Sequence, residues 1–198
     1  AVLYRTNAQS RVIEDALRRE NLAYQIIGGV RFYERKEVKD VLAYLKLLLN
    51  PHDNVSLRRV INVPTRGIGK VVMDSLEALR DTSRSSGQEP NAFSNTPLLA
   101  DDESSEPRSM WTLLSRGLDA KRFPNRSAAA LTAFRGLIVA LTDMAQREPV
   151  SVAIGKILDQ SGYLEDLRED RSEESESRVE NLAELVSAAR EYAGREPE

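Results

Sequence analysis

Cysteine is absent from the 198 residues and histidine occurs once, at His52. Without thiols there is no disulfide framework, no thiolate nucleophile and no Cys-ligated metal; one imidazole argues against a His-rich zinc site or a Ser-His-Asp triad. No metal site is expected in the chain. Long apolar runs are missing too: the longest, from Val41 to Leu49, is interrupted by Tyr44 and Lys46 and falls short of the roughly 18 to 20 residues of a membrane span. No membrane partner is expected. Neither sign of charge dominates, since 28 Lys plus Arg face 31 Asp plus Glu for a net charge of −3. Any contact with nucleic acid must therefore come from local basic elements and not from the surface as a whole. What remains, 41% hydrophobic and 30% charged residues, describes a soluble intracellular protein with one substantial core or two small ones.

The chain opens on Ala1-Val2-Leu3-Tyr4-Arg5, without an initiator Met or a polar lead-in, and closes on Arg195-Glu196-Pro197-Glu198 directly after a helical pattern. This reads as a piece of a longer chain. Val2-Leu3-Tyr4 predicts a short strand, and Asn7 to Glu20 a helix with Ala8, Val12, Ile13, Ala16 and Leu17 as its apolar face. Tyr24-Gln25-Ile26-Ile27 is a second β-rich run ending at Gly28-Gly29, followed by a helix from Glu37 to Leu49. The expected fold class is thus α/β at the start. Short helices follow at Val55 to Asn62 and Lys70 to Arg80, on either side of Thr65-Arg66-Gly67-Ile68-Gly69.

Between Ser83 and Ser109 the composition turns to Ser, Pro, Asn, Asp and Glu, which predicts a linker or surface insertion. Beyond it the apolar positions fall at helical spacing in Trp111 to Leu118, Ala128 to Met144, Val150 to Gln160 and Val179 to Tyr192. The second part is expected to be mainly α-helical. The mixed-charge run Asp166 to Ser177 reads as a solvated loop or helix end. These signals divide the chain into an α/β unit at 1–93, a polar linker at 94–107 and a helical unit at 108–198.

Gly69-Lys70 does not complete a P-loop: Pro64 stands where the first glycine belongs and Val71 where Ser or Thr must follow the lysine. Asp101-Asp102-Glu103 lacks a preceding hydrophobic strand and is assigned no catalytic role. Tyr4 and Arg5 are more informative, because they stand at the carboxyl end of the first strand, where α/β sheets bind ligands. Tyr4 can stack on a base and Arg5 can reach a terminal phosphate; equally, Tyr4 can pack in a core and Arg5 can pair with a carboxylate. Arg31, Arg35, Lys36 and Lys39, interleaved with Phe32 and Tyr33, make a basic aromatic helix start suited to a nucleic-acid backbone. Glu34, Glu37 and Asp40 dilute it, and a salt-bridged helix is the plainer reading. Thr65, Arg66, Gly67, Gly69 and Lys70 form a turn before a helix whose backbone N–H groups can meet a phosphate, although glycines also serve ordinary interhelical turns. Arg126 and Ser127 enter the helix from Ala128 either as a basic contact or as a cap. His52, Trp111 and Tyr163 fit turn and packing roles.

Taken in this order, Ala1 to Arg11, Tyr24 to Asp40 and Asn62 to Gly69 resemble the UvrD/PcrA/Rep superfamily 1A DNA helicases, the first stretch being similar to their motif IV. The likeness covers about the first eighty residues and extends more faintly through Ser161-Gly162-Tyr163 and Ser177 to Leu182. It implies an incomplete RecA-like second motor domain (2A) joined to a helical 2B subdomain, in an ATP-dependent 3′ to 5′ helicase of DNA repair or replication. It also implies that Tyr4 stacks on adenine and Arg5 contacts the γ-phosphate. Arg31, Arg35, Lys36 and Lys39, the 65–70 turn and, more weakly, Arg126 and Ser127 are then DNA contacts. The implied cofactor is ATP with Mg2+, whose ligands would lie outside this chain, so the piece alone is expected to be inactive. The implied partners are single-stranded DNA, single-strand to duplex junctions and repair proteins, in a bacterial cytoplasm at the nucleoid. The alternatives are a non-catalytic DNA-binding or protein-interaction module, or part of a helicase-nuclease subunit.

Overall fold

A computed structural model describes residues 1–70, 72–76 and 109–193. A single 3-10 turn at Asn7–Gln9 leads into α1 (Ser10–Arg19), and a second at Phe32–Glu34 leads into α2 (Lys36–Leu49) and α3 (Asn54–Val60). Residues 70 and 72–76 are helical and are called α4. Then come α5 (Met110–Asp119), α6 (Asn125–Ala145), α7 (Val150–Gln160), α8 (Tyr163–Asp170) and α9 (Glu173–Ala193). The charged run Asp166 to Ser177, read as a solvated loop or helix end, is the end of α8 and the start of α9, separated by a break that holds Arg171 in the left-handed region at φ +50°.

Helix α2 is apolar around most of its circumference, and such a helix has to be the buried axis of a bundle. Its Tyr44, Leu47 and Leu48 join Leu57 and Val60 of α3, Leu76 of α4, Leu114 of α5 and Phe134 of α6 in one cluster. Its Val38 and Val41, with Phe32, join Ile154 of α7, Tyr163 of α8 and Leu182 of α9 in a second. Each fully buried aliphatic or aromatic side chain of this kind contributes roughly 1.5–3 kcal/mol. Both clusters draw on residues from either side of the 77–108 stretch. Helix α6 is long and apolar enough to cross a membrane by length and composition. Its Leu131, Phe134, Ile138 and Leu141 are nevertheless packed into the core, and its Arg135 pairs with Asp119 at 3.0 Å.

The expected strands do not form. Residues 2–4 and 24–27 carry no β ladder, and no strand occurs among the described residues. An extended segment becomes a strand only when a neighbour's backbone groups ladder with it. Here the β-rich side chains stay in solvent, with Leu3 94% and Ile27 90% exposed. The described fold is therefore helical where α/β was expected. Helix α1 also turns differently from the expectation. Its buried face is Ser10, Arg11 and Glu14, while Val12 is 53% exposed. Hydrophobic spacing names the apolar face of a helix, but a network that satisfies every polar group can claim the buried one. The expected boundary at residue 93, the linker at 94–107 and the acidic Asp101-Asp102-Glu103 lie outside the described residues.

The turn after α2 stitches α3 to α5. Asp53 caps α3, accepting from the N–H groups of Val55 and Ser56 at 3.0 and 3.1 Å and from the Ser56 hydroxyl at 2.6 Å. Ser109 caps α5, accepting from Thr112 N–H at 3.3 Å, and its hydroxyl also meets His52 Nδ1 at 2.6 Å. The Asn54 side chain accepts from Met110 N–H at 2.8 Å. The Ser56 hydroxyl and backbone hydrogen bonds hold the Asp53 carboxyl below the usual carboxylate range. Its contribution is thus present above the unfolded-state value and is lost as pH falls through the lower folded value.

Two outcomes are expected in urea unfolding. Asp53→Ala lowers stability at neutral pH by about 1 kcal/mol and blunts the loss of stability on acidification; equal acid sensitivity in variant and parent would exclude the capping account. At Gly117 an added Cβ would meet the Phe123 ring at 2.6 and 2.8 Å. Gly117→Ala is expected to lower the urea midpoint, at a cost of about 1–3 kcal/mol from overpacking.

Candidate functional site

The N-terminal edge is built by one glutamine. Gln9 Oε1 accepts from the backbone N–H groups of Arg5 and Thr6 at 3.0 and 3.3 Å, and Gln9 N–H donates to Thr6 O at 3.2 Å. This capping box orients the residues just before α1. Tyr4 is half-buried and Arg5 exposed. Beside them lies a cavity of about 630 Å³, lined by Tyr4, Asn7, Ile13, Leu17, Tyr24 and Ile26 among others. Among the described residues the Arg5 side chain has no ion-pair partner. A half-buried aromatic next to an unpaired, always-charged guanidinium is chemically suited to an aromatic base carrying an anionic tail.

The 65–70 turn divides in two. Thr65, Gly67, Gly69 and Lys70 are exposed. Arg66 points inward. Its Nη1 donates to the carbonyl oxygens of Val60, Val63 and Pro64 at 3.1, 3.0 and 3.3 Å, with Ile61 O at 3.4 Å. Its Nη2 donates to Tyr44 Oη at 2.8 Å and Ser161 O at 3.1 Å, and the guanidinium lies 5.5 Å from the Phe134 ring centre. Asn62 Oδ1 accepts from the N–H groups of Arg66 and Ile68 at 2.8 and 3.2 Å, and Gly67 takes φ +73°. Arg66, expected at a phosphate, has its Nη1 and Nη2 donors committed to the protein, because the break after α3 brings four carbonyl oxygens to them. The Tyr44 phenol, donating to Val63 O at 2.5 Å, completes the staple; burial raises its pKa, while Arg66 opposes that rise.

The 28–39 stretch divides likewise. Arg31, Lys36 and Lys39 are exposed, with Arg31 loosely 3.9 Å from Glu34. Arg35 is drawn inward, donating to Asn181 Oδ1 at 2.7 Å and Ser10 Oγ at 2.6 Å. Burial lowers its pKa from the usual arginine value. Its place is in a network and not on a free basic surface. Arg126 is exposed and Ser127 half-buried in the first turn of α6, where Pro124 is the N-cap and supplies no side-chain bond.

Residues that sequence reasoning left aside hold this network together. Glu14 accepts from the Ser10 hydroxyl at 2.9 Å, the Phe32 N–H at 3.1 Å and the Tyr24 hydroxyl at 3.1 Å. Glu37 accepts from Asn181 Nδ2 at 2.7 Å. Asp40 accepts from Arg59 Nε at 2.7 Å and the Tyr163 hydroxyl at 2.9 Å, and burial followed by Asp40 raises the Tyr163 pKa. Glu37 and Asp40 read in sequence as dilution of a basic patch, whereas each is buried and partnered. The available signal was their spacing of three on α2, which puts both on one side of the helix. Among the described residues no group of three or more His, Asp or Glu side chains is placed to hold a metal ion.

Residues 1–96 match the UvrD-like helicase C-terminal domain family. Over 193 residues, 98% of this chain, the sequence is 36% identical to DNA helicase II of Escherichia coli (strain K12) and 36% identical to DNA helicase II of Salmonella typhimurium. It is 38% identical over 193 residues to ATP-dependent DNA helicase PcrA of Bacillus subtilis. The chain spans about a quarter of the length of these relatives, 24% of the first two and 23% of the third.

Because the Arg66 donors satisfy turn carbonyls, Arg66→Ala is expected to cost at least about 2 kcal/mol of stability, with Arg66→Lys recovering little of it. Urea unfolding checks this; an Arg66→Ala protein of undiminished stability would return Arg66 to the candidate phosphate contacts.

Proposed function

We propose that this chain is a portion of an ATP-dependent 3′ to 5′ DNA helicase, contributing one edge of the nucleotide site and part of the DNA-binding surface. The observation that carries this reading is the 36–38% identity, sustained over nearly the whole chain, to proteins named DNA helicase II and ATP-dependent DNA helicase PcrA. Residues 1–93 are then one edge of an α/β RecA-like 2A domain whose strands need neighbours beyond the described residues. Residues 94–107 are a linker and 108–198 a portion of 2B. The setting is a bacterial cytoplasm, at the nucleoid, in repair or replication.

The residues present fit a nucleotide at its edges. Tyr4 offers a ring at the mouth of a cavity, and Arg5 offers a guanidinium with its donors free for phosphate oxygens. ATP supplies the free energy of phosphoryl transfer. Arg5 binds and orients the terminal phosphate and stabilises charge there, Tyr4 holds the base, and Gln9 fixes the backbone that carries both. A divalent cation, taken as Mg2+, would be held by groups other than those described here.

For DNA, the freely exposed cations are the useful ones. Arg31, Lys36, Lys39, Lys70 and Arg126 stand in solvent, with the N–H groups around Gly67 and Gly69 and the first turn of α6 at Ser127 as neutral donors. Arg35 and Arg66 act behind this surface, fixing the segments that present it. The partners this surface suits are single-stranded DNA and single-strand to duplex junctions, with repair proteins as further partners of the parent.

In the full-length parent, Arg5→Ala should abolish most ATP turnover, by about a thousandfold on the scale of arginine-finger removal, and leave DNA affinity intact. Near-normal turnover would remove Arg5 from the nucleotide site. Lys39→Ala and Lys70→Ala should each weaken DNA binding across sequences and lower the slope of log affinity against log salt by about 1. Fluorescence anisotropy over a salt series measures it, and an unchanged slope excludes the lysine concerned.

A further inference from the structure

The interface between α1 and α9 is polar where helix interfaces are ordinarily apolar. From α1 and the turn before it come Asn7, Ser10, Arg11 and Glu14, spaced as one helical face. Opposite them on α9 stand Ser177, Asn181, Glu184 and Glu191. Asn7 Nδ2 meets Ser177 Oγ at 3.5 Å, and Ser10 reaches Asn181 through the shared Arg35 guanidinium. Arg11 is the strongest link. Nearly all of its side chain is buried, and it donates through Nε to Glu184 Oε1 at 2.6 Å and through Nη2 to both Glu191 oxygens at 3.1 Å. Its remaining nitrogen holds Asp15 of its own helix at 3.1 Å. Burial opposes its charge, but Glu184 and Glu191 outweigh burial and keep it cationic.

This arrangement bears on Tyr4 and Arg5 because, among the described residues, the fully buried side chains of α1 are all polar: Ser10, Arg11 and Glu14. Val12 is exposed, and Ile13 and Leu17 face the cavity next to Tyr4. The position of α1, and of the capping box that leads into it, thus depends on directional bonds to a helix more than 150 residues later in sequence, beside those of Glu14 to the Phe32 N–H and the Tyr24 hydroxyl. We propose that Arg11 is a positioning residue, which sets the nucleotide edge by locking α1 to Glu184 and Glu191 of α9. The inference rests on the nucleotide-edge reading of Tyr4 and Arg5. An ion-pair link is lost when either charge is removed and is restored when the two charges are exchanged, whereas an apolar one is not, so the turnover of the parent becomes sensitive to the carboxylates of α9.

The test uses the full-length parent. Arg11→Met removes the charge at similar length, and a displacement on the scale of an ångström at the reacting phosphate should lower kcat for ATP about tenfold or more. KM should change far less. Glu184→Gln, a milder variant, should give a smaller fall in the same direction. The reversed pair Arg11→Glu with Glu184→Arg should recover part of the kcat lost by Arg11→Glu alone. Hydrogen exchange over residues 10–19 should rise in Arg11→Met, and Gly117→Ala, destabilised elsewhere, should keep the parental kcat. Unchanged kcat in Arg11→Met, or a fall in kcat matched by Gly117→Ala, overturns the proposal. If Arg5→Ala retains turnover, the nucleotide-edge reading fails instead; exchange over residues 10–19 then still reports whether Arg11 holds the helix.

Discussion

The inward turn of Arg66 is the constraint on which the rest of the helical bundle depends. Breaking the chain between α3 and α4 leaves a row of carbonyl oxygens pointing toward the core, and such groups cannot be buried bare. One planar guanidinium, with donors spread in a fixed fork, collects Val60, Val63 and Pro64, then reaches across to Tyr44 of α2 and Ser161 at the end of α7. A lysine could satisfy a few of these but not the set. Because α2 is the axis shared by both apolar clusters, fixing the turn against Tyr44 also fixes where α3 and α4 lie on it. The glycines of the same turn then remain outside, facing solvent.

Polar connections of this kind recur across the molecule. Glu14, Glu37 and Asp40 are carboxylates in places usually given to leucine, and each is matched by donors from a distant segment. Removing one partner from such a network leaves the other buried and unpaired, so its cost is larger than the net worth of the contact. The same arithmetic separates the basic residues. Arg11, Arg35, Arg59 and Arg66 have partners within the protein, while Arg5, Lys36, Lys39, Lys70 and Arg126 keep their charge in solvent. A surface with net charge near zero can still present local cations, provided that the others are neutralised inside.

Much of this was legible in the sequence and some was not, for identifiable reasons. Helix α7 follows its apolar spacing to the residue, and α2, α5 and α6 lie within a few residues of the expected spans, because their periodicity reports burial directly. Helix α9 begins at Glu173 and not Val179, since its first turns are charged and carry no apolar stripe. Residues 2–4 and 24–27 have β composition, but a strand is a property of a pair, and one run of residues cannot specify its neighbour. At the candidate site Tyr4 is half-buried, while Arg5, Lys36, Lys39 and Lys70 stand in solvent. The fate of Arg66 and Arg35 was hidden, because composition tells that a guanidinium is present but not which carbonyls will be stranded near it. Arg11 was passed over for the same reason: its partners lie on α9.

The interleaved caps at the far end of the bundle carry one more implication. Leu76 and Met110 belong to the same buried cluster, and Asn54, Asp53 and His52 tie the start of α5 to the start of α3. The two ends of the 77–108 stretch are thereby anchored independently of whatever lies between them. Closing a longer or shorter connection between fixed ends changes the free energy only logarithmically with length. The distance between those two ends is accordingly set by α3, α4 and α5 and not by the length of chain that joins them.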